Sequence, residues 1–139
     1  MFLKKTITFL ISLVIFFSSI AKVYSIEPDI FVQSTVNRAS EALNNKFSKE
    51  EKIVKLKAIA KETVDITGIG FYTLGSYRKN INDDQKKEYS NLFEQYFLKS
   101  FASRLAEYSN PEIEVLSKKR LNENYTMVSS VLVATEQKP

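Results

Sequence analysis

The chain has 139 residues, with 20 Lys and Arg against 16 Asp and Glu, and contains neither histidine nor cysteine. Those two absences exclude serine triads, thiol nucleophiles, haem axial histidines and the usual zinc sites, and they leave packing alone to hold the fold. Lys4, Lys5 and Lys22 are the only charged residues before position 26, so the rest carries a net charge near +1 and lacks the basic stripe that a nucleic-acid partner needs.

The first 25 residues, MFLKKTITFLISLVIFFSSIAKVYS, have the order of a secretory signal peptide. Lys4 and Lys5 form a basic start, an apolar run extends from Ile7 to Ile20, and small residues follow at Ala21 and Ser25, the two candidate cleavage sites. An uncleaved anchor is the weaker reading, because about fourteen apolar residues fall short of the roughly twenty that span a bilayer. Without cysteine there is no lipoprotein acylation site. Residues 26–139 then form one domain, large enough for a core.

Pro28-Asp29 opens a first helix expected to run to about Asn45, with Phe31, Val32, Val36, Ala39, Ala42 and Leu43 at helical spacing. Ser48-Lys49-Glu50-Glu51 has the pattern of a capping box, followed by a stripe of Ile53, Leu56, Ile59, Ala60 and Val64. This second helix is expected to end around Asp65, at the glycine segment. Asn82-Asp83-Asp84-Gln85 is another helix start, with acids where the dipole favours them. The third long helix is expected from about Asp83 to Tyr108. Tyr89, Leu92, Phe93, Tyr96, Phe97, Phe101, Leu105 and Tyr108 fall on one broad face, and Lys86, Lys87, Glu94, Lys99 and Glu107 on the other.

After Asn110-Pro111 the composition turns β-branched. EIEVLSKKRL and YTMVSSVLVATE, separated by Asn122-Glu123-Asn124, read as a β-hairpin. Val128, Leu132 and Ala134 lie on one face of the second strand and Met127, Val131 and Val133 on the other. A strand that is apolar on two faces, with an open edge, invites further pairing. The run Ser117-Lys118-Lys119-Arg120 beside the turn reads as solvated. Helices first and strands last give an α+β domain: a helical layer of three long helices and a short one, packed on an antiparallel sheet of which a hairpin is present.

All three glycines, Gly68, Gly70 and Gly75, fall within VDITGIGFYTLGSYRK. A dinucleotide fingerprint would need glycine where Thr73 stands, and a P-loop would need lysine after Gly75, where Ser76 and Tyr77 stand. The segment therefore reads as a bend between helices, with FYTLGSY as a short helical piece beyond it. The paired acids Glu50-Glu51 and Asp83-Asp84 are explained as helix starts. Asp65 reads as a capping residue, the alternative being a buried base in a small cone-shaped enzyme. No catalytic residue, metal ligand or cofactor is expected.

Taken together, DITGIGFYTLGSYRKNINDDQKKEYSNLFEQYFLKSFASRLAEYSNPEIEVL resembles the MlaC family of periplasmic phospholipid-binding proteins. The resemblance rests on Asp65 followed by Leu74-Gly75, on Tyr77-Arg78-Lys79, and on a helix that starts at Asp84-Gln85. That helix carries Phe93 and Phe97 and closes on Ala102-Ser103-Arg104-Leu105 and Tyr108. The resemblance extends from about Pro28 to Thr135. It implies a non-enzymatic carrier in the periplasm of a Gram-negative bacterium, working between an outer-membrane lipoprotein and porin complex and an inner-membrane ABC transporter. It also implies that Leu74 packs inward while Gly75 allows close approach. Family members continue with further strands and a C-terminal helix, so the 26–139 domain is expected to be incomplete at its C-terminus. Periodicity, within the neighbourhood that the resemblance gives, selects Leu74, Phe93, Phe97, Phe101, Val115, Val128 and Leu132 as a lipid-binding cleft between helices and sheet. The rival readings are an adaptor that binds no lipid and a decayed fragment of such a carrier.

Overall fold

The computed structural model of the protein describes residues 26–136, so the expected signal peptide lies outside the described residues. Four α-helices precede one antiparallel hairpin, an α+β arrangement.

Helix α1, Pro28–Ala42, starts on a proline whose missing N–H costs nothing there. It stops short of Asn45, and the Leu43 carbonyl instead accepts the backbone N–H of Asn110. Helix α2, Lys49–Thr63, begins at the expected capping box: Ser48 Oγ accepts from the Glu51 N–H, and Glu51 accepts from the Ser48 N–H at 2.8 Å. The chain is extended at Val64. Asp65 then caps α3, Ile66–Thr73, by accepting the Gly68 N–H at 2.9 Å. The break between α2 and α3 thus lies ahead of the glycines. A polar cap at Asp65 outweighs the weak helix propensity of Gly68 and Gly70, which stand inside α3.

Gly70 and Gly75 have separate jobs. A Cβ on Gly70 would meet the Phe93 ring at 2.9 Å, so this is where backbone approaches a neighbour closely. Gly75 has φ of 55° with open space around it, and serves the reversal after α3 through its conformation. The close approach expected at Gly75 is therefore made one turn earlier. A 3-10 helix, Gly75–Lys79, leads to α4, Asp83–Leu105, which starts on a second capping box between Asn82 and Gln85.

The helical core differs from the expected aromatic face. In α4 the buried residues are Leu98 and Ala102, with Ala106 just beyond, and Ala102 is completely covered. They meet Leu56 and Ala60 of α2 together with Ala42 and Leu43 at the end of α1. Leu92 and Tyr96 are exposed, at 57% and 69%. Glu94 and Glu107, expected on a solvated face, pair with Lys61 and Lys49 of α2. Small side chains at the helix contact permit tight packing, and the larger rings are left to its flanks. Lys52 of α2 is buried too, its ammonium donating to the Tyr108 carbonyl just past the end of α4.

Strand β1, Glu112–Arg120, pairs antiparallel with β2, Thr126–Ala134. Asn122 Oδ1 accepts the N–H groups of Asn124 and Tyr125 in the turn, and Arg120 donates to the Asn122 carbonyl. The hairpin packs on α1, whereas α4 packs on α2 and α3. Polar ties hold it at both ends. Lys118 Nζ lies 2.8 Å from both Glu27 and Asp29, and Glu136 accepts from the side chains of Asn110 and Asn45. The basic run near the turn is therefore engaged at Lys118 and Arg120. The hydrogen bond from Lys118 holds the Asp29 carboxyl below its ordinary 3.8. Asp29 and Glu27 in turn hold the Lys118 ammonium above its ordinary 10.5.

Two outcomes are expected. Gly70→Ala should destabilise the domain by about 1–3 kcal/mol in urea unfolding, and Phe93→Leu in the same chain should restore part of the loss. A lowered carboxylate stabilises the fold above its unfolded value and loses that effect as pH falls through its folded value; a raised amine does so below its unfolded value and loses it as pH rises through the folded one. Amide exchange in β1, corrected for its intrinsic pH dependence, should therefore be slowest between these limits and accelerate below the ordinary Asp range. Lys118→Gln should weaken that dependence, leaving the part set by Glu136.

Candidate functional site

Helix α4 carries aromatic rings at every fourth position: Tyr89, Phe93, Phe97 and Phe101. Consecutive ring centroids lie 5.8, 6.2 and 5.4 Å apart, with interplanar angles of 25°, 27° and 11°. A spacing of four residues nearly matches the 3.6-residue turn, so the rings stack in a row that drifts slowly around the helix. The three phenylalanines lean on the cluster of Ala60, Ile66 and Leu98, with Val64 beside them. They are only half-buried, so part of each ring remains outside the core. At the α3 end, Thr73 and Tyr89 share a hydroxyl contact of 2.9 Å, and Leu74, half-buried, closes α3.

The hairpin supplies a second apolar surface. The register places Ile113 opposite Leu132, Val115 opposite Ser130 and Lys118 opposite Val128, with an irregularity in β1 between Val115 and Lys118. Because β2 alternates regularly here, Val128 and Leu132 share one face, and pairing brings Val115 and Lys118 to it. Lys118 reaches the start of α1, which identifies this as the inner face. Val115 and Val128 are half-buried there and Leu132 is 40% exposed. A cavity of about 270 Å³ separates Val115 from Asp29, Ile30 and Gln33 of α1. A larger, more polar one of about 810 Å³ opens between the start of α1 and the hairpin turn, with Lys118 on the wall of both.

The seven residues picked from the sequence thus fall into two groups. Phe93, Phe97 and Phe101 stack together on α4, while Leu74 follows Thr73, which meets Tyr89 at the start of that row. Val115, Val128 and Leu132 share the inner face of the hairpin over α1. Sequence reasoning passed over Tyr89 as a site residue, Gly70 as the seat of the Phe93 ring, and Lys118 as the polar end of the hairpin surface. The four-residue spacing from Tyr89 to Phe101 was a visible signal for the first. The other two depend on contacts that no local pattern announces.

Chemically, the α4 row offers mainly apolar contact, and the hairpin an apolar strip that ends in Lys118. Among the described residues no group of three or more His, Cys, Asp or Glu could hold a metal ion, and no buried side-chain polar atom lacks a partner. No described helix is long and apolar enough to cross a membrane.

No curated protein and no solved structure matches the chain. The family model described as MlaC protein matches residues 33–139, a span that takes in the aromatic row, the glycine-bearing α3 and the hairpin. With most of its length matched, the chain belongs to the MlaC family.

Proposed function

We propose that the protein is a periplasmic phospholipid carrier that moves lipid between the outer membrane and an inner-membrane ABC transporter, and so maintains outer-membrane lipid asymmetry. Membership of the MlaC family supports phospholipid binding in general. The observation that carries the reading for this chain is the half-covered row Phe93, Phe97 and Phe101, continued by Tyr89.

Two acyl chains contain about thirty methylenes, and exposing them to water at about 0.8 kcal/mol each would cost roughly 20 kcal/mol or more. A carrier must replace that water with apolar surface and has no need of a nucleophile. Tyr89 to Phe101 is three four-residue steps, about 18 Å along the helix at 1.5 Å per residue, against about 15 Å of hydrocarbon in one leaflet. The row is therefore long enough to accompany most of an acyl chain. Leu74 would extend this surface at its Tyr89 end. Val115, Val128 and Leu132 offer a second apolar strip, where lipid would displace water from the groove over α1. Ring faces bind methylenes without directional demands, which suits a cargo with varied chains.

An adaptor reading draws on a different observation: Met127, Val131 and Val133 of β2 are exposed at 49%, 43% and 56%. Uncovered apolar residues on a strand of this kind favour protein contact.

Native mass spectrometry of the protein purified from a bacterial periplasm, followed by organic extraction, separates the two. The carrier reading expects a species heavier by one phospholipid. Phe97→Asp and Phe101→Asp should each abolish it, whereas Tyr96→Asp, on the exposed side of α4, should retain it. Bare protein that self-associates would support the adaptor. Full lipid occupancy in folded Phe97→Asp and Phe101→Asp variants would overturn the assignment of the row.

A further inference from the structure

We infer that the segment from α3 through the 3-10 helix is a docking surface for an anionic phospholipid bilayer. Ile69 and Tyr72 lie one turn apart on the outer side of α3, 40% and 81% exposed, away from the Gly70 contact with α4. Tyr77 follows at 72% exposure on the 3-10 helix, which buries none of its residues and ends in Arg78 and Lys79. The exposed aromatic and basic side chains are thus gathered on one short stretch of chain.

The charge here has one sign. Residues 66–82 contain no Asp or Glu, and neither Arg78 nor Lys79 takes part in an ion pair among the described residues. Asp65, Asp83 and Asp84 flank the segment. Asp65 caps α3 through the Gly68 N–H, and Asp83 holds Lys86 at 2.9 Å. Arg78 and Lys79 are thus open to an external anion.

Tyrosine is favoured at the level of lipid headgroups, where the ring enters the apolar boundary and the hydroxyl stays wet. Lys and Arg are attracted to the negative potential of an anionic leaflet. Charge complementarity commits the surface to that occupant, and its place in the molecule agrees. Gly70 and Thr73 of the same short helix touch Phe93 and Tyr89 of the aromatic row. A membrane contact beside the apolar site suits a carrier, and to that extent we rest on the carrier reading.

The test is co-sedimentation of the periplasm-purified protein with vesicles of phosphatidylglycerol and phosphatidylethanolamine, compared with vesicles of phosphatidylcholine alone. Binding to the anionic vesicles is expected, weakening as salt is added. Arg78→Gln with Lys79→Gln should weaken it about thirtyfold, from roughly a fivefold contribution by each cation. Tyr72→Ser with Tyr77→Ser should weaken it as well. All four side chains are exposed, and circular dichroism will confirm that the variants remain folded. Lipid found by native mass spectrometry should be unchanged in these variants, which separates docking from cargo binding. Equal binding to neutral vesicles, or binding indifferent to the charge substitutions, would overturn the proposal. So would an absence of vesicle binding, which would leave an acidic protein surface as the partner of Arg78 and Lys79.

Discussion

The contact between α2 and α4 governs the rest of the helical layer. Leu56 and Ala60 on one helix meet Leu98, Ala102 and Ala106 on or just past the other, and Ala102 has no exposed surface at all. Since these residues are mostly small, the seam between the helices has no room for rings. Phenylalanine placed along α4 must sit at the flank, where only one side of each ring finds core. The half-covered aromatic row is thus a consequence of how closely two helices pack, and the candidate lipid site follows from the same constraint.

Much of the architecture was legible because it is written locally. The capping box at Ser48 and the helix start at Asn82 each need only four adjacent residues; both form, and the start at Asn82 is itself a capping box. The hairpin follows from β-branched runs around an Asn-rich turn, and Asn122 anchors that turn. What was lost depends on distant partners. Apolar residues run nearly all round α4, so periodicity could not say that Leu92 and Tyr96 point outward while Ala102 is buried. Gly70 reads as a helix breaker until the Phe93 ring lies against it. Lys118 reads as solvated until chain separated from it by about 90 residues supplies two carboxylates. The grouping of the seven site candidates had the same limitation: each lies on an apolar face, but which faces meet is set by the tertiary fold.

The hairpin is attached in a different manner from the helices. Its inner face gives Val115 and Val128 partial cover against α1, while polar groups fix its two ends. At one end are Glu27, Asp29 and Lys118, and at the other Asn45, Asn110 and Glu136. Hydrogen bonds from Asn110 and Asn45 hold the Glu136 carboxyl below its ordinary range, so the second tie also favours the ionised acid. Exposed charge pairs contribute little free energy each, but they fix geometry. The apolar strip is therefore positioned by groups that water and salt can reach, and the aromatic row by groups they cannot.

The Glu136 tie also spans much of the chain. It joins the loop after α1 to the end of β2 across 91 residues, and Asn110 to the same carboxylate across 26. The entropy of closing a loop grows only logarithmically with its length, so the 91-residue closure costs about 0.4 kcal/mol more than the 56-residue one between Lys52 and Tyr108. One carboxylate can therefore hold the loop after α1 against the end of β2 at little more conformational cost than a contact inside the helical layer.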